Sequence, residues 1–214
     1  MKELTPTGEC RLFAGEVIAP YEFSGSAITY CRLPGDMTAL PEGAFYHCRA
    51  LSAVMLPFGL LSIGQQAFDG CIALGTIDLP PALDRIGVAA FLGCASLREL
   101  CLPPSCGAVG DDAFLNCTGL SRLSLPAGVA RLGDRSFADC TALREVSLPR
   151  TLCFVGTDCF DGCTSLAELT VLSPMITLGE DAFGGCPIRR IRCRETVAPI
   201  LHRACPQARI SIIE

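Results

Sequence analysis

The sequence predicts an α/β fold: a right-handed solenoid of short parallel strands, its coils closed by short helical or 3-10 turns on the outer side. Three observations predict it. Phe45, Phe68, Phe91, Phe114, Phe137, Phe160 and Phe183 stand 23 residues apart, and a cysteine follows each by three: Cys48, Cys71, Cys94, Cys117, Cys140, Cys163 and Cys186. Leu-Pro pairs keep the same step from Leu33 to Leu148, with Val171 in the next slot. Gly64, Gly87, Gly110, Gly133, Gly156 and Gly179 keep it too. A fixed period of this length marks supersecondary units that bury their apolar faces only by stacking.

Each coil can be justified in chain order. The segment from Leu97 to Leu102 ends in alternating apolar residues, the pattern of a short strand with one buried face. The proline after it cannot donate to a ladder, so it closes the strand and turns the chain. A second apolar pair leads to the glycine, where the backbone bends tightly or approaches its neighbour closely. The Ala-Phe step follows, often behind acids: Asp111, Asp112, Asp134, Asp158, Glu180 and Asp181. Acids at the start of a helical turn would satisfy its free N–H groups and its dipole. A calcium site is the weaker reading of this stripe, because calcium needs six to eight oxygens around one point and these acids are spread over several coils.

The ends depart from the period, as the open edges of a solenoid require. Residues 23–34 are a worn copy, one residue short, with Ser26 in the cysteine slot and Cys31 in a strand slot. Residues 186–193 are shortened the same way, and the residues after them read as a capping helix and a last strand. The chain is therefore expected to be a single domain over 1–214. Residues 1–33 form an N-terminal cap and degenerate repeat, 34–193 the regular repeats and 194–214 a C-terminal cap.

The pattern Cys-x-x-Leu-x-x-Ile-x-Leu-Pro-x-x-Leu-x-x-Ile-Gly-x-x-Ala-Phe resembles the bacterial leucine-rich repeats of the BspA-like class over about residues 18 to 193. The resemblance implies a leucine-rich-repeat solenoid. It also implies surface or secreted proteins that bind other proteins or host matrix.

Composition narrows the function classes. The 214 residues carry a net charge of -5 with no cluster of Lys and Arg, which argues against nucleic acid. No apolar run is long enough to span a bilayer, so membrane insertion is not expected. The opening MKELTPTGEC reads as no secretory signal. The expected compartment is the cytoplasm for the sequence as it stands, or the cell surface or exterior if a signal peptide has been removed. The 15 cysteines are expected to be packed free thiols, since the periodic seven all point the same way in the core. Each could bond a neighbouring loop carbonyl. Zinc would call for paired C-x-x-C, which does not occur; no metal or cofactor is expected. Cys101 and Cys153 fall in exposed slots. His47 and His202 are the two histidines, and no nucleophile–base–orienter set suggests an enzyme.

What remains is a protein-binding module using the extended strand face, with an adhesin for host or matrix proteins as the alternative. Two outward columns run Ala53, Thr76, Glu99, Arg122, Glu145, Glu168, Arg190 and Met55, Asp78, Cys101, Ser124, Ser147, Thr170, Arg192. A third carries Arg98, Ser121 and Arg144. The candidate partner-binding residues are Asp78, Arg98, Glu99, Arg122, Ser124, Arg144, Glu145, Ser147, Glu168 and Thr170. Glu99, Arg122 and Glu145 alternate in sign, which is expected to keep like charges from facing one another. The bland alternative is a solvated face whose ion pairs contribute about 0–1 kcal/mol each. The partner is expected to be a protein of unknown identity. The chain itself is expected to be a monomer, with weak self-association through the solenoid edge as the alternative.

Overall fold

The computed structural model describes residues 3–5 and 7–213; Met1, Lys2, Pro6 and Glu214 of the expected end segments lie outside the described residues. One coil shows the plan of all. Glu99–Cys101 is a front strand with Leu100 buried between exposed neighbours. Pro103 turns the chain, Cys106 N donating to its carbonyl at 3.0 Å, and Ala108–Val109 forms a second strand. Gly110 then leads into two tight turns around the buried Phe114.

The front strands pair in parallel, and through the middle of the chain they keep the 23-residue register that the repeat predicts. Glu99–Cys101 lies beside Arg122–Ser124, and Glu145–Leu148 beside Glu168–Val171, then Arg190–Cys193, then Arg209–Ile212. Toward the N-terminus Glu9–Arg11, Tyr30–Arg32 and Ala53–Met55 continue the parallel stack. The level of Thr76 and Asp78 carries no assigned strand, so the front ladder is interrupted there.

The second apolar pair makes more than a corner. Seven two-residue strands, from Ala39–Leu40 to Thr177–Leu178, form a parallel sheet on a second side of the solenoid. The glycine column explains how they come close enough. A Cβ on Gly110 would stand 2.7 Å from the carbonyl carbon of Gly87, and its N–H donates to Ile86 O at 3.0 Å. Only glycine leaves room for that approach.

The third side corrects the expectation of helical or 3-10 turns. Within the repeats the outer segment is a run of hydrogen-bonded turns with two left-handed residues per coil, as at Asp112 (φ 56°) and Asn116 (φ 60°). Alternate amides leave the coil: Asp112, Phe114 and Asn116 donate to the carbonyls of Asp134, Ser136 and Ala138 at 2.8, 2.8 and 3.0 Å. The amides between them close local turns, Leu115 N to Asp112 O at 3.1 Å and Cys117 N to Phe114 O at 3.2 Å. A helical turn would keep its N–H groups within its own coil; here half of them hold the next one. The acids are accordingly not helix caps. Asp112, Asp158 and Asp181 occupy left-handed positions, which Asp, Asn and Gly tolerate best. Asp111 Oδ1 and Asp134 Oδ1 accept backbone N–H bonds from Asp134 and Thr157 of the following coils, both at 2.9 Å.

Inside, the phenylalanine rings from Phe23 to Phe183 stack with centroids 5.0–5.5 Å apart and planes within 15°. The cysteine column runs beside them. Each thiol from Cys71 to Cys186 donates to the phenylalanine carbonyl of the preceding coil, at 3.1–3.4 Å. At the N-terminus Glu3–Leu4 pairs antiparallel with Glu9–Arg11. At the C-terminus a 3-10 turn (Glu195–Val197) and a helix (Ala198–Ala204) lie against the last coil before the final strand. Pro199 fits the first helical turn, where its missing N–H goes unused.

Candidate binding face

Side chains alternate along a strand, so the front strands deliver the outward columns in register. Glu99 pairs with Arg122 across one step in a direct ion pair. Ser124 stands beside Cys101, and Ser147 beside Thr170. Arg98 and Arg144 are exposed just before their strands. Their backbone carbonyls serve the next coil, Arg98 O taking the amide of Ser121 at 2.9 Å and Arg144 O that of Ala167 at 2.9 Å. Arg144, Glu145 and Glu168 share a shallow depression of about 420 Å³. Asp78 is exposed but sits on the interrupted level, apart from that group.

The expected alternation of charge stops after Glu145. Register sets Glu145 directly opposite Glu168, and Arg190 directly opposite Arg209. Glu168 turns instead to Arg190, its Oε1 2.6 Å from Nη2. The repulsion is tolerated because these side chains keep contact with water, where the Coulomb cost is small.

The N-terminal end of the face holds a hollow of about 540 Å³, which the candidate residues omit altogether. Arg11 stands opposite Arg32, and Arg32 opposite Met55. With Phe13, Leu33 and Pro57 these residues line the hollow. Phe13 is 47% exposed and Met55 50%. The signal was present but displaced. Arg32 precedes Met55 by one full period, whereas Arg11 precedes Arg32 by 21 residues, so counting in steps of 23 misses it.

Outside this face, chemistry is sparse. Among the described residues no group of three His, Cys, Asp or Glu side chains could hold a metal ion, and no helix is long and apolar enough to cross a membrane. Asp69 is buried (6% exposed), and burial raises its pKa while the charge of His47 opposes the shift. Burial also pushes the thiol of Cys94 well up and that of Cys117 to about 12. Both therefore stay protonated at neutral pH and are poor nucleophiles.

The BspA type leucine rich repeat region matches the chain in six copies, over residues 16–144 and 84–205. The chain is similar to the solved leucine rich repeat protein of T. pallidum, TpLRR, at 28% identity and a TM-score of 0.75, covering 100% of this chain and 96% of that one. A leucine-rich repeat protein from Bacteroides ovatus shares the fold at 20% identity and a TM-score of 0.55, over 100% of this chain and 75% of its own. A leucine rich cell surface protein from Faecalibacterium prausnitzii does so at 17% and 0.53, over 100% and 93%. No curated protein matches the sequence.

Proposed function

This chain belongs to the BspA type leucine rich repeat family, and on that premise we propose that it is a non-catalytic module that binds protein partners on its front strand face. The observation that carries the reading is the N-terminal hollow, where Arg11 and Arg32 flank exposed Phe13 and Met55. Arginine and aromatic side chains around a hollow are what dominant interface contacts are made of. The middle of the face, from Glu99 to Thr170, supplies a polar strip that fixes orientation more than affinity. Catalysis has little to draw on: the thiols electrostatically coupled to Asp69, Cys71 and Cys94, are held protonated by burial.

Site-specific photo-crosslinkers at Met55, Ser124 and Thr170 test this against one at Leu115 on the turn side. Crosslinks to a common partner from the first three and none from Leu115 are expected. A partner trapped only from Leu115 would overturn the reading. A partner drawn from matrix extract would select the adhesin form of the same module.

A further inference from the structure

The C-terminal end of the front face gathers positive charge in a chain whose net charge is -5. Arg190 and Arg192 occupy alternate positions of one strand, and Arg209 and Ser211 those of the next. Thr170 stands opposite Arg192 on the other side. Neighbouring strands lie about 4.8 Å apart and alternate positions along a strand about 6.6 Å. These five side chains thus rise around one small patch of surface. They line a hollow of about 320 Å³, floored by Leu169 and Ile191 with Glu168 at its edge.

Three guanidinium groups meet one carboxylate there. Glu168 engages Arg190; among the described residues neither Arg192 nor Arg209 has a carboxylate within ion-pair distance. Arg190 and Arg209 face each other directly, so an anion lying between them would meet two guanidinium groups at once. We propose that this hollow is an oxyanion site for a phosphate or sulfate group. Guanidinium forks bind such groups in bidentate fashion, and the Thr170 and Ser211 hydroxyls supply further donors. Forks converging from two strands suit a tetrahedral group with three or more free oxygens better than a planar carboxylate, whose two oxygens one fork satisfies.

The test is a titration of the intact chain with inorganic phosphate and sulfate, against chloride at matched ionic strength. Backbone amide shifts of residues 170, 190–192 and 209–211 are the readout. Saturable shifts confined to those residues are expected, with affinity lost by at least about tenfold in R192Q/R209Q. Neutralising the competitor with E168Q should tighten binding by up to about fivefold, the equivalent of one exposed ion pair. R150Q, away from the hollow, should leave it unchanged. An unsaturable drift, or equal affinity in R192Q/R209Q with native amide dispersion, would overturn the proposal. Phosphoserine and glucosamine 6-sulfate distinguish the sources, and whichever binds more tightly names the kind of partner that carries the group.

Discussion

A thiol in the periodic column is fixed by two neighbours: the ring beside it and the carbonyl it reaches. Cys117 donates to Phe91 O at 3.2 Å and is fully buried. This role was legible in the sequence, because six identical steps of 23 along seven cysteines leave every side chain of the column pointing the same way. So was the exposure of Cys101 and Cys153, in variable slots. Titration of the native protein with a thiol reagent should label those two rapidly and all 15 only after unfolding. Fewer than 15 on unfolding would mean disulfides. Asp69 makes a second prediction at this scale. Its folded pKa lies above the unfolded value of about 3.8, so the native state binds the proton more tightly. The stability it costs is therefore absent below pH 3.8 and grows as pH rises through the folded pKa. Asp69→Asn should gain on wild type between pH 3 and pH 7 in urea unfolding. The same difference at both pH values would contradict this.

At the scale of elements, the front strands and the phenylalanine stack were legible, and the second sheet and the turn side were not. The strands announce themselves by alternation, whereas a two-residue strand such as Arg131–Leu132 is too short to carry a period. Its pairing depends on the glycine contact between coils, which a single coil does not reveal. The acids misled for a related reason. Asp at a left-handed turn position and Asp at a helix start look alike until hydrogen bonds between coils are counted. The stack itself makes the energetic prediction. Phe114 sits between Phe91 and Phe137 at 5.0 and 5.2 Å, fully buried. Phe114→Ala should cost about 3–5 kcal/mol in urea unfolding. A cost below about 1 kcal/mol would remove the ring column as the main support of the core.

For the whole molecule, the period fixes the middle and its breaks conceal the ends. The candidate residues cluster between Asp78 and Thr170, where spacing is regular. The two hollows lie where strand-to-strand steps shrink to 21 residues at Arg11 and to 19 at Arg209. Those short steps are what brings arginines opposite arginines, and no count in 23s could anticipate them. The face that results is mixed in charge at its centre and arginine-rich at both ends, a pattern suited to orienting a long partner along the strands.

The central claim is that partners dock on this face, and affinity capture with paired variants tests it most directly. The face variant changes Phe13, Arg32 and Met55 of the N-terminal hollow to Ala. Its fold should survive, since all three side chains are exposed and such surface changes usually cost little stability. The comparison variant changes Asp139 and Asn116 on the turn side to Gly, which their left-handed backbone accepts. Retention of a partner by wild type and the turn-side variant, with loss by the face variant, is the predicted result. Equal retention by the face variant, with loss by the turn-side variant, would contradict the account.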